Sequence, residues 1–143
     1  MELKNLKIVK VLNHVVEIED QYGEIKRCLK LQRKPYKVKE KEYFGYFVSG
    51  IVRDDVVECS FSQSSRDDYA ELEKFFKNDE VVFVTYETAK TSDMITKEVR
   101  SIMNVYACRI DEEIVDCFPL NFKNRKTDLA SLEMILKRID RQE

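Results

Sequence analysis

Eight residues between Lys26 and Lys41 are basic, namely Lys26, Arg27, Lys30, Arg33, Lys34, Lys37, Lys39 and Lys41, and Glu40 is the one acid among them. Four aromatics follow at once: Tyr43, Phe44, Tyr46 and Phe47. Cations beside planar rings suit a flexible polyanion with exposed bases, because phosphates meet the charges and bases stack on the rings. Single-stranded nucleic acid is the first chemistry this spacing implies. A solvated basic loop next to ordinary core aromatics explains the stretch equally well.

On the nucleic-acid reading, Arg27, Lys30, Arg33, Lys34, Lys37, Lys39 and Lys41 contact phosphates, and each contact releases a counterion. Tyr36, beside Pro35 in the lysine-rich connection, is the stacking candidate of that loop. Alternation along a strand sends Tyr43, Gly45 and Phe47 to one side and Phe44 with Tyr46 to the other. The period does not say which side is bare, and Phe44 with Tyr46 is the pair assigned to bases. Lys90, Lys97 and Arg100 are second-loop contacts, against the reading of an ordinary solvated loop. Lys123, Arg125 and Lys126 either bind phosphate or flank a capped helix.

Other chemistries find little support. There is no P-loop, G-x-G-x-x-G, H-E-x-x-H or G-x-S-x-G pattern, and the single histidine, His14, lacks a placed partner. Cys28, Cys59, Cys108 and Cys117 are widely spaced with no C-x-x-C pair, so buried thiols explain them better than a metal site. No enzyme activity, cofactor or metal is expected.

The formal charge of −2 over 143 residues opposes tight, indiscriminate coating of DNA. Asp54 to Glu80 holds nine acids against Arg66, Lys74 and Lys77. The nucleic-acid reading therefore requires the charges to segregate onto opposite faces, with moderate affinity. The apolar fraction of 43 % is enough for a real core, and no run of about 18 apolar residues suggests a membrane span. The first residues lack the apolar core of a signal peptide, so a cytosolic protein with reduced thiols is expected.

The elements that must position these groups are mostly strands. Residues 6–19 read as one long strand with a bend near Val15 and Val16. A turn at Asp20–Gly23 joins it to a strand over 25–33, the two forming a hairpin. Strands are expected over 43–53 and 56–62, joined at Arg53–Asp55. A helix capped by Ser65 follows, burying Tyr69, Leu72, Phe75 and Phe76. Strands over 81–88 and 99–110 flank a polar loop at 89–97. A connection containing Pro119 leads to a terminal helix with the stripe Leu129, Leu132, Leu136 and Ile139.

Strands separated by turns, with one helix before the late strands, match the five-stranded Greek-key barrel of the OB-fold, mainly β with an inter-strand helix and here an appended C-terminal helix. The string DYAELEKFFKNDEVVFVTYET, residues 68–88, is similar to the helix-then-strand signature of bacterial single-stranded DNA-binding proteins. The order of elements extends that resemblance over about residues 6 to 111. Departures from that family are the absent tryptophan and the charged helix LASLEMILKRIDRQE in place of a flexible acidic-tipped tail. The chain more closely resembles the short, atypical members from conjugative plasmids and phages of Gram-positive bacteria, of the PrgE kind. The resemblance implies non-sequence-specific binding of single-stranded DNA in plasmid or phage DNA handling, no cofactor, and self-association into a dimer or filament. An OB-fold domain over 1–126 and a terminal helix over 127–143 are the expected organisation. An OB-like protein-interaction module is the alternative, and RNA in place of DNA stays open.

Overall fold

The structure, a computed structural model, describes residues 5–62, 66–76, 81–92, 94–96, 99–111, 114–122 and 125–142. Ser65, Lys97 and Lys123, to which roles were assigned above, lie outside them. Nine strands and two helices alternate as β1 (Lys7–Val11), β2 (Val15–Glu19), β3 (Ile25–Lys30), β4 (Gln32–Val38), β5 (Lys41–Val52), β6 (Asp55–Ser62), α1 (Arg66–Lys74), β7 (Phe83–Ser92), β8 (Val99–Asp111), β9 (Ile114–Phe122) and α2 (Arg125–Lys137). The class is mainly β, as expected, with nine strands where five were expected. Every pairing is antiparallel, and the hydrogen-bonded order β1-β2-β3-β7-β8-β9-β6-β5-β4 is open, with β1 and β4 at its edges.

Three of the strand assignments change. Residues 6–19 form two strands rather than one, because Leu12 donates to the Val15 carbonyl and closes a hairpin at Asn13 and His14. His14 leaves the strand for that turn, where Nδ1 is hydrogen-bonded to Ser49 Oγ at 2.8 Å. The lysine-rich connection is itself a strand, β4, with Pro35 opposite Phe44. Proline costs β4 no ladder bond, since an edge strand has a free flank. Pro119 hid β9 in the same way. It lies opposite Tyr106 of β8, while β9 meets β6 only at Asn121 and Phe122.

Only Leu31 separates β3 from β4. Its amide donates to the Val82 carbonyl at 2.9 Å, holding the bend against the start of β7. One run of chain thus serves β7 on one side and β5 on the other, and the sheet curls to follow it. Inside the curl, Leu29, Leu31, Tyr46, Val48, Phe61, Val84 and Ala107 meet Leu72 and Phe75 of the α1 region and Leu132 and Ile135 of α2. A smaller cluster, with Val16, Ile18, Cys28, Phe83 and Cys108, occupies the opposite face.

Helix α2 packs on β5, β6 and β9. Gly50 of β5 makes room for it: a Cβ there would run into the Ile135 side chain. Beyond α2, buried Gln142 ties the chain to β5, its amide donating to the Ile51 carbonyl at 2.8 Å while its carbonyl accepts from Ile51 N–H. Leu132, Leu136 and Ile139 of the expected stripe are therefore turned to the core, and the Leu129 side chain lies outside the described residues. No helix among the described residues is long and apolar enough to cross a membrane.

Candidate nucleic-acid interface

Strands β3 and β4 carry the basic residues along the bend, and three concavities adjoin one another there. The first, about 640 Å³, is lined by Lys10, Val11, Leu12, Asn13, Arg27, Lys30 and Gln142. The second, about 560 Å³, runs from Lys30 past Gln32, Arg33 and Lys34 to Phe76 and Val81. The third, about 420 Å³, lies between Lys34, Phe44, Phe47, Glu58 and Tyr69, with Tyr46 at its base. Lys30 belongs to the first two and Lys34 to the last two, so the three form a row along β3 and β4 that is the candidate groove. Among its described lining residues, Glu58 is the one carboxylate.

The cations differ in how committed they are. Lys10 and Lys30 have no ion-pair partner among the described residues. Lys34 Nζ stands 4.5 Å from the Phe47 ring centre and 3.6 Å from Glu58 Oε1, both side chains more than half exposed, which makes the pair weak. Arg33 is held firmly: Nε donates to Glu73 Oε1 at 2.9 Å and a terminal nitrogen meets Oε2 at 2.8 Å. Such a fork-to-fork pair fixes the guanidinium plane. The same Glu73 Oε1 accepts the Tyr46 hydroxyl.

Arg27 is occupied by the fold. It donates to the Gln142 carbonyl and stands 3.7 Å from Glu17, so it anchors the end of the chain to β3 while lining the groove. Tyr46 corrects the stacking assignment more sharply. It is 1 % exposed, packed between Tyr69 and Phe76 at ring separations of 6.3 and 5.5 Å, and no base can reach its face. Phe44, two residues earlier on the same side of β5, lies beyond the reach of α1 and is 37 % exposed. It remains a stacking candidate, with Tyr43 at 43 % on the opposite side of the strand.

Lys37, Lys39 and Lys41 sit exposed at the β4–β5 tip, past the end of the groove. Tyr36 lies on β4 opposite Tyr43 rather than in a loop, and its side chain is outside the described residues. Lys90 and Arg100 lie on β7 and β8, next to each other's cross-strand partners Ser101 and Thr91, again without described side chains. Strand β7 leaves Lys30 at Phe83 and runs opposite to the direction in which β3 continues into β4, so this hairpin points away from the basic strip. The structure brings together Arg27, Lys30, Arg33, Lys34 and Phe44, and does not bring Lys90 or Arg100 to them.

Sequence reasoning missed Lys10 altogether. It reaches the groove because β1 folds back on β2, and no local pattern announces where a terminal hairpin lands. Phe76 and Tyr69 were assigned to the core on helical spacing, and they do pack on Tyr46 while also lining the groove. Comparison of the chain with protein-family models, with curated proteins and with solved structures finds no match.

Proposed function

We propose that this chain binds single-stranded nucleic acid without sequence preference, in the groove along β3 and β4. The observation that carries the reading is that three neighbouring concavities share Lys30 and Lys34 in their linings, the last also holding Phe44 and Phe47. Backbone phosphates would meet Lys10, Lys30 and Lys34, and a base would stack on the exposed part of Phe44.

The Leu31 bend supports a barrel-like reading of the curled sheet, the architecture in which the OB-fold carries its ligands on a comparable strand. Binding as proposed needs only the curl and the groove. DNA is taken as the ligand, in the cytosolic handling of plasmid or phage DNA with copies associating along a strand, on the resemblance of residues 68–88 described above.

Fluorescence anisotropy with a labelled oligo-dT, alone and as a duplex, tests the reading over a salt series. Three ammonium groups, those of Lys10, Lys30 and the weakly paired Lys34, give an expected slope of log K against log salt of about −2 for a single strand. Lys30→Glu together with Lys34→Glu removes both shared lysines and is expected to cost tenfold or more in affinity with the fold unchanged by circular dichroism. No binding at low salt, or equal binding by the double variant, overturns the proposal.

A further inference from the structure

Cys108 of β8 and Cys117 of β9 are direct cross-strand partners on one side of the sheet, with their sulfurs 2.8 Å apart. Cys108 is fully buried and Cys117 is exposed. We propose that this pair is an oxidation site, which a peroxide converts into a reversible Cys108–Cys117 disulfide.

The geometry divides the roles. The exposed sulfur is the one an oxidant can reach, and the buried one waits behind it in bonding range. The contact between the two sulfurs shifts the thiols in opposite directions: it lowers Cys117 below its usual value and, with burial, raises Cys108. Asp116 and Glu87 oppose ionisation of Cys117 without outweighing that contact. An accessible thiol beside a buried resolving cysteine is the arrangement of reversible thiol switches. Cys28 lies on the same face but is buried, and burial pushes its thiol up to about 11, so it stays reduced and serves as an internal control.

The chemistry balances with the peroxide as two-electron oxidant. The Cys117 thiolate attacks one peroxide oxygen, the O–O bond breaks, and the departing hydroxide takes up the proton Cys117 had lost, giving water and a sulfenic acid. The Cys108 sulfur then attacks the Cys117 sulfur, the S–O bond breaks, and hydroxide leaves with the Cys108 proton as a second water. Two thiols are oxidised to one disulfide while one peroxide is reduced to two waters. Directly opposed cross-strand Cβ atoms sit about 4.5–5.5 Å apart, at or above the 3.5–4.5 Å a disulfide prefers. The disulfide is open to reduction by an added thiol because Cys117 is exposed. It would fasten β9, the strand through which β8 is joined to β6, more tightly to β8.

The test is peroxide treatment of the full, reduced chain, followed by alkylation and peptide mapping. The expected product is intact protein lighter by about 2 Da, with Cys108 and Cys117 in one linked peptide pair and Cys28 alkylated, all reversed by dithiothreitol. Cys108→Ser should leave Cys117 trapped as a dimedone-reactive sulfenic acid, whereas Cys117→Ser should leave Cys108 unoxidised. Alkylation of both thiols after peroxide, or a linkage that runs through Cys28 or Cys59 instead, overturns the proposal without reference to either variant. Neither result bears on nucleic-acid binding, so the two proposals fail separately.

Discussion

The guanidinium carbon of Arg33 lies 3.3 Å from the centre of the Phe44 ring, while its nitrogens are pinned by Glu73 of α1. A cation so placed polarises the ring and covers one of its faces, leaving stacking to the exposed remainder. Glu73 thereby fixes the ring's partner and cancels its charge at the same point. Glu73→Gln keeps an acceptor for Tyr46 but removes the counter-charge. The expected outcome is two- to threefold tighter binding of oligo-dT, with stability lowered by about 1 kcal/mol in urea unfolding. Weaker binding by this variant would mean that Arg33 serves structure alone.

Phe44 and Tyr46 share one side of β5, yet the truncation of each should be read by a different instrument. Phe44→Ala removes a partly exposed ring and is expected to weaken oligonucleotide binding by about 1–3 kcal/mol, with little change in the melting temperature. Tyr46→Ala empties a core position and removes one hydrogen bond from Glu73, so about 3–5 kcal/mol of stability is lost before binding can be asked about. Equal effects of the two on melting would show that Phe44 belongs to the core as well.

How much of this was legible in the residues follows from what each signal reports. Alternation found the strands and placed Phe44 and Tyr46 together, but period two carries no information about which side is covered. The answer depends on where α1 docks, and α1 is some twenty residues further along. Proline misled twice, at Pro35 and Pro119, because its cost to a ladder vanishes wherever a flank is unpaired. The double-sided curl at Leu31 had no local mark, since a bend held by the Val82 carbonyl is a long-range event. Gly50 faces the chain's own α2, an approach that a glycine within a strand does not identify from sequence.

Gly50→Ala tests that approach. The added methyl meets Ile135 and comes within 3.1 Å of the Gln142 side-chain oxygen, so α2 must shift off β5. Overpacking of this kind costs about 1–3 kcal/mol. Combining it with Ile135→Ala should restore part of the loss, because the two changes contend for one space and do not add. Strict additivity in chemical denaturation would mean that α2 is not seated on Gly50.

Both tight turns of the central hairpins use left-handed backbone at residues that resist it. Lys39 and Glu40 have φ of 50° and 70°, and Arg53 and Asp54 have 51° and 68°. Two successive positive φ values match the type I′ turn, whose twist suits antiparallel strands and which favours Asn-Gly. A side chain with Cβ holds this conformation at a cost that the strands on either side must meet. Replacing Arg53-Asp54 by Asn-Gly should relieve it, raising stability by about 0.5–1 kcal/mol with oligonucleotide binding unchanged, since this turn is not part of the groove. The same exchange at Lys39-Glu40 should stabilise by a similar amount. It also removes an exposed cation at the β4–β5 tip together with its neighbouring acid, leaving the charge there unaltered. Binding that nevertheless falls would extend the interface past Phe44 to the tip, whereas binding that holds would confine it to the groove between Lys10 and Phe47.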